Sequence, residues 1–175
     1  MTLTLLVGGA RSGKSTLALR RAEALGLPVV FVATAEARDS EMADRIARHQ
    51  AERPETWSTL GVPCDLGDAI EQLPAEAAVI VDCLTLWVAN LMERGDDDIE
   101  AAADSAARRA AQRNAPVIAV SNEVGMGIVP DHPLGRAYRD RLGRVNAIWA
   151  SHAQEALLVV AGRTLDLQPT RSFDG

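Results

Sequence analysis

The chain has 175 residues, enough for one domain whose core needs neither metal nor disulfide staples. Hydrophobic residues make up 47% and charged residues 24%, the balance of a globular protein rather than a disordered one. A net charge of -6 and only 3% aromatics argue against a nucleic-acid partner, which calls for a basic surface or a platform of stacking rings.

Short, almost continuously apolar runs at 2–7, 29–33, 78–81, 117–120 and 156–160 predict strands buried on both faces of a parallel sheet. Between them, stretches of helical period predict helices at 15–25, 40–52, 65–73, 84–92, 99–113 and 134–152. Extended pieces at 56–60 and 163–167 are candidates for the sheet edges. The alternation predicts an α/β fold of three layers with a mostly parallel central sheet. No repeat or linker divides it, so 1–175 reads as a single domain. The acidic stretch at 95–98 reads as a solvated turn with Asp98 as the N-cap candidate of the next helix, and the tail after Leu167 as loosely ordered. The first seven residues have neither the basic lead nor the cleavage site of a signal peptide, and no apolar run approaches the roughly 18 residues of a membrane span. Cys64 and Cys83 have no metal-ligand or CxxC spacing and read as reduced thiols. Together these features set the expectation of a cytoplasmic protein.

Of the 18 basic residues only Lys14 is a lysine; the rest are arginines. A chain that uses Arg everywhere else keeps Lys where a compact point charge is needed rather than a planar fork. Lys14 lies in Gly8-Gly9-Ala10-Arg11-Ser12-Gly13-Lys14-Ser15, which matches G-x-x-x-x-G-K-[ST] between a predicted strand and a predicted helix. Glycines let successive backbone N–H groups converge on phosphate oxygens, and the helix aims its positive end at the same anion. Lys14 then reaches the β and γ phosphates of a nucleoside triphosphate, and the Ser15 hydroxyl serves Mg²⁺. This is a P-loop, and it specifies the fold further as a P-loop NTPase-type, RecA-like one. The second metal residue, a carboxylate, is expected at the end of a buried strand, where Asp82 closes Val79-Ile80-Val81. With Lys14 committed, no lysine remains for the [NT]-K-x-D loop by which switch GTPases read guanine.

On the predicted helix at 40–52, Arg45, His49 and Arg53 fall four residues apart and share a face if the last turn holds. Two cations beside an imidazole keep it neutral and nucleophilic, and the same cations hold a triphosphate. An ordinary charged surface helix has the same spacing. His132, in a Pro-flanked loop, and His152, at a helix end near the dipole, lack such surroundings, and three scattered histidines make no zinc site. The segment from Ser121 to Pro130 follows a strand end, where open parallel sheets bind ligands. It is long and unusually apolar for a connection, with Gly125 and Gly127 for close approach and Asn122 and Glu123 for polar contacts.

The segments GGARSGKS, ATAEARDSEMADRIARHQAERPETW, VDCLT and VSNEVGMGIVP, in this order, resemble the bifunctional adenosylcobinamide kinase/adenosylcobinamide-phosphate guanylyltransferase family of cobalamin biosynthesis. The resemblance extends to the helix carrying GRAYRDRLGRVN, so it covers nearly the whole chain. It implies phosphorylation of adenosylcobinamide with ATP or GTP, then transfer of GMP from GTP to adenosylcobinamide phosphate, with Mg²⁺ as cofactor. The family's guanylylated histidine falls on His49. Its nucleotide contacts fall on Gly8 to Ser15, on Ala33, Thr34 and Ala35, on Gln50, Ala51, Glu52 and Arg53, and on Asp82. One departure stands out: where the family has Glu in W-x-T-x-E, this chain has Gly61. Relatives of this architecture also imply a homotrimer. Without the family-like segments, the residues equally fit another small-metabolite P-loop kinase with no covalent step, or a nucleotide-dependent regulatory module.

Overall fold

The computed structural model describes residues 3–37, 40–51 and 53–169. In chain order the elements are β1 (Leu3–Gly8), α1 (Lys14–Ala24), β2 (Val29–Ala33), α2 (Ser40–Ala51), β3 (Ser58–Gly61), α3 (Leu66–Gln72) and β4 (Ala78–Asp82). There follow α4 (Leu84–Arg94), α5 (Ile99–Gln112), β5 (Val117–Asn122), α6 (Pro133–His152), β6 (Glu155–Val160) and β7 (Arg163–Asp166). The strands form one seven-stranded sheet in the order β3-β2-β4-β5-β1-β6-β7. All neighbours pair in parallel except β7, which turns back on β6 through Ala161-Gly162. The two edge candidates do form the edges. The first starts at Ser58 rather than two residues earlier, because Trp57 N–H is taken by the carbonyl of Pro54 in a turn.

Alternate side chains of the same strands enter two different cores, which explains the continuous apolar runs. On one face Leu3, Leu5, Val30, Val32, Val79 and Val81 pack with residues of α3 to α6, including Trp87 and Trp149. On the other, Leu6, Phe31, Ile80, Ile118 and Val120 pack on Ala18 and Ala22 of α1. Helices thus lie on both faces, completing the three layers. Asp98 caps α5 as its position suggested, accepting from Ala101 N–H at 3.0 Å. His132 has a role that its sequence surroundings did not reveal: its ring nitrogen accepts from Leu134 N–H at the start of α6. His152 ends α6 with its ring nitrogen 2.8 Å from the Asp104 carboxylate on α5. Among the described residues, no helix is long and apolar enough to cross a membrane.

One ion pair fixes α1 against the sheet. Arg21, in the last turns of α1, donates through both terminal nitrogens to Glu155 at the start of β6, one of them at 3.0 Å. Thr4 Oγ1 on β1 donates to the same carboxylate at 3.2 Å. The hydrogen bonds from Arg21 hold the Glu155 carboxyl below its usual range. A carboxylate with a depressed folded-state pKa contributes stability that is present above the unfolded pKa and lost as pH falls through the folded value. Glu155→Gln is therefore expected to lower stability at neutral pH by about 1 kcal/mol. It is also expected to flatten the loss of stability on acidification, roughly between pH 5 and 3. Urea denaturation of both proteins across that range checks both effects; parallel pH curves would remove the pairing from the account.

Candidate functional site

The site is built at the carboxyl ends of the parallel strands. β1 ends at Gly8 beside Asn122, the last residue of β5, and Ala33 ends β2 beside Asp82, the last residue of β4. Both β4 and β5 run further than their apolar stretches, so the carboxylate and the amide are held by ladder hydrogen bonds rather than by loops. β5 lies between the strand that leads into the P-loop and the strand that carries Asp82.

The P-loop is the turn from β1 into α1. Gly8 is required sterically, because a Cβ there would stand 2.3 Å from the backbone oxygen of Val159 on β6. Gly13 is the N-cap of α1 with φ 99°, a left-handed conformation natural to glycine, and it leaves the helix start without a side-chain cap. Arg11 also has positive φ, 56°, so the loop curls twice in quick succession. Gly9, Ala10 and Arg11 are exposed at its tip, while Ser12 and Lys14 are buried. Lys14 Nζ donates to Gly9 O at 3.0 Å, a bond that holds the ammonium inside the loop. Ser12 Oγ is buried and makes no hydrogen bond to any described residue. An uncapped helix start, a buried ammonium and an orphaned hydroxyl within four residues fit an anion such as a triphosphate.

A cavity of about 180 Å³ opens beside this loop, walled by Lys14 and Ser15 of α1, Phe31 and Ala33 of β2, Asp82 of β4 and Asn122 of β5. Ala35, Ile46, Arg53, Cys83, Thr85 and Leu86 complete its wall. Ser15 and Asp82 thus face one space from two elements. A hydroxyl and a carboxylate are hard oxygen donors, the set that suits Mg²⁺ sharing its shell with phosphates and water.

The turn beyond β4 is clamped by Thr34. Its Oγ1 donates to Cys83 O at 2.7 Å and accepts from Cys83 N–H at 2.9 Å, and its own N–H donates to Asp82 O. Thr34 is fully buried and does not line the cavity, whereas its neighbours Ala33 and Ala35 do. Asn90 on α4 donates to Thr34 O and Pro63 O, tying the turns after β2 and β3 together. Burial, and then the charge of Asp82, pushes the Cys83 thiol up, which makes it a protonated wall residue rather than a nucleophile. Behind the wall, Thr85 Oγ1 accepts from Asn122 N–H at 2.7 Å and Thr85 O accepts from the Tyr138 hydroxyl. Burial raises that phenol to about 12, so it remains a donor throughout the working pH range.

The expected face of Arg45, His49 and Arg53 does not run straight down one helix. α2 ends at Ala51, and Arg53 lies beyond it with its guanidinium 3.4 Å from the centre of the Phe31 ring and Nη1 donating to Thr59. The side chains of Arg45 and His49, and all of Glu52, lie outside the described residues. Gln50 and Ala51 are exposed on α2 and do not line the cavity. Phe31, Thr85 and Leu86 were not singled out in the sequence, since an aromatic on a core strand and an apolar helix start carry no signal of their own. Gly61 ends edge strand β3 beside Ala33, and a side chain added there meets open space.

The family model described as cobinamide kinase/cobinamide phosphate guanyltransferase matches residues 4–167. The chain is 40% identical over 170 residues to the bifunctional adenosylcobalamin biosynthesis protein CobP of Pseudomonas aeruginosa, covering 94% of this chain and 96% of that protein. It is 39% identical over 178 residues to the bifunctional adenosylcobalamin biosynthesis protein CobU of Escherichia coli, covering 91% of this chain and 96% of that protein. Among solved structures it is similar to the flagellar accessory protein FlaH from Methanocaldococcus jannaschii, with a TM-score of 0.50 and 16% identity, covering 93% of this chain and 74% of that one. The RadB recombinase is as similar, with a TM-score of 0.50 and 18% identity over 90% of this chain and 73% of that one. These last two likenesses bear on the fold, which is that of the P-loop NTPases.

Lys14 is buried with its ammonium held by Gly9 O, so replacing this point charge by the planar fork of Lys14→Arg is expected to weaken nucleoside triphosphate binding roughly ten- to hundredfold. The thermal midpoint should stay within a few degrees. Calorimetric titration with GTP and a melting curve check this; unchanged affinity would show that the cradle does not depend on a point charge.

Proposed function

The chain belongs to the cobinamide kinase/cobinamide phosphate guanyltransferase family, and from that premise we propose that it carries out two group transfers at the P-loop site. In the first, the aminopropanol hydroxyl of adenosylcobinamide attacks the γ-phosphorus of ATP or GTP. An O–P bond forms to the acceptor, the bond to the β-phosphate oxygen breaks, and the nucleoside diphosphate leaves. In the second, neutral His49 attacks the α-phosphorus of GTP. A nitrogen–phosphorus bond forms and pyrophosphate departs. The phosphate of adenosylcobinamide phosphate then displaces the histidine, giving adenosylcobinamide-GDP.

Each protein group has a physical task in this scheme. The P-loop amides and Lys14 neutralise charge on the leaving phosphates, which is the largest available stabilisation of such transition states. Ser15 and Asp82 are the residues that hold Mg²⁺, whose contribution when bound is to draw charge off the phosphate oxygens. Arg53 supplies a second cation, oriented by stacking on Phe31. Splitting guanylyl transfer at His49 replaces one hard displacement between two anions by two easier ones.

The observation that carries this reading is the composition of the cavity wall, which joins Lys14, Ser15 and Asp82 to Ile46 of α2 and Arg53 just beyond it. Positions three apart on a helix share a face. His49 follows Ile46 by three, and this shared helical face supports reading it as the nucleophile. A P-loop kinase that only moves the γ-phosphate has no need of such a residue.

With GTP labelled at the α-phosphate, the protein should acquire an acid-labile, base-stable label that adenosylcobinamide phosphate chases off. His49→Ala should abolish that label and reduce GMP transfer by about a thousandfold or more. Phosphorylation of adenosylcobinamide by the variant should stay within a few-fold of the parent. Full labelling of the variant, or no label on the parent, would overturn the covalent step.

A further inference from the structure

The loop between β5 and α6, together with the first turn of α6, holds a set of large apolar side chains out in solvent. Met126 is 79% exposed, Ile128 96%, Val129 59% and Leu134 62%. From Val124 to Pro130 the run contains no charged residue. Such a cluster is costly to hydrate and marks a binding surface when it is contiguous.

The loop is held in this form by specific bonds. At its start Glu123 N–H donates to Gly8 O in the P-loop at 3.1 Å, and the Glu123 carboxylate accepts from Gly125 N–H at 2.7 Å. At its end Arg136 donates to the carbonyls of Pro130 at 3.0 Å and Asp131 at 2.7 Å. The apolar side chains are thus presented by a braced loop, and its first strut is the phosphate cradle itself.

Resting on the functional reading above, we infer that this loop is the platform on which the corrin ring of the acceptor lies. The kinase reaction requires the acceptor hydroxyl within about 3.5 Å of the γ-phosphorus. The cavity at that point measures about 180 Å³, well below the roughly 300–1,000 Å³ that one drug-sized ligand occupies. A macrocycle much larger than such a ligand lies outside, at the mouth, with only its aminopropanol arm reaching in. Asn122 lines the cavity and the uncharged run begins two residues later at Val124, so the two surfaces adjoin. Their chemistry also divides as the ligands do. The charged groups Lys14, Arg53 and Asp82 belong to the nucleotide pocket, and the uncharged platform meets a ring rimmed by methyl groups and amides, with no anionic group of its own. Gly127 is exposed, and a Cβ added there would meet nothing within 4 Å, so the backbone beside it is open to those amides.

The test is the double variant Met126→Ser/Ile128→Ser, assayed with adenosylcobinamide and GTP. Both side chains are exposed, so the fold should survive, and a melting curve verifies it. The KM for adenosylcobinamide is expected to rise about tenfold or more, since each lost apolar contact is worth several-fold. GTP affinity and self-labelling from α-labelled GTP without corrinoid should stay within twofold. The conservative pair Met126→Leu/Ile128→Val should keep the KM within about threefold. A corrinoid KM unchanged in the double serine variant, with the parent active, overturns the platform while leaving the functional reading intact. Loss of activity accompanied by a change in sedimentation coefficient also overturns it, by making the loop a contact between copies of the chain. Failure of the parent to phosphorylate adenosylcobinamide overturns the functional reading, and the platform with it.

Discussion

The site depends on how the P-loop is held from two sides by backbone hydrogen bonds. Gly8 O accepts from Glu123 N–H beyond β5, and Ser12 O accepts from Gly162 N–H in the β6–β7 turn. These bonds exist because β1 lies between β5 and β6, so the connection emerging from it has a neighbour on each flank. The fit is close: the missing Cβ of Gly8 is what lets β1 approach Val159 on β6. Backbone donors and acceptors in such a position are costly to leave unpaired, so the loop has little freedom to collapse when no phosphate fills it. The cradle is therefore preorganised, which is the condition for electrostatic stabilisation without reorganisation at the moment of transfer.

The opposite wall is set by a second, independent tie. Thr34 satisfies both polar backbone groups of Cys83, and Asn90 binds the turns after β2 and β3. Three adjacent strand ends are thereby joined, with Thr34 beyond the middle one and Asp82 on its neighbour β4. Thr34 acts on the nucleotide site through this clamp, since its hydroxyl is fully used by Cys83. The adjacent alanines face the cavity, and their small size is what leaves it open.

Much of this was legible in the amino-acid order. Strands buried on both faces announce themselves as unbroken apolar runs, and the glycine-rich turn between β1 and α1 has a spacing dictated by phosphate geometry. Asp82 could be found because a carboxylate closing a buried strand has few other reasons to be there. What could not be read is whatever depends on pairing across the sheet. The insertion of β5 between β1 and β4, the bond from Glu123 to Gly8 and the Thr34 clamp all join residues far apart in sequence, with no local signal. Arg53 shows the limit of helical periodicity: four-residue spacing put it on a face with His49, yet α2 ends at Ala51 and the guanidinium turns onto Phe31. Pro54 and the ring beneath decided that, and only the ring required the third dimension.

The division between one lysine and many arginines now has a structural sense. Arginine serves wherever several acceptors must be bridged at once. Arg113 donates to the carbonyls of Ile70, Leu73, Pro74 and Ala77 at the end of α3, and Arg21 grips both oxygens of Glu155. A planar fork suits such fixed arrays of acceptors. At the buried start of α1 the cation bonds a single loop carbonyl, Gly9 O, beside the cavity, and there the chain uses its lysine. The chain has no second lysine for a base-reading loop. The ring of Phe31 and the cation of Arg53 above it lie at the cavity wall. The same economy extends to the acceptor side, where the loop beyond Glu123 carries no charge until Asp131, so each half of the site is marked by what its composition leaves out.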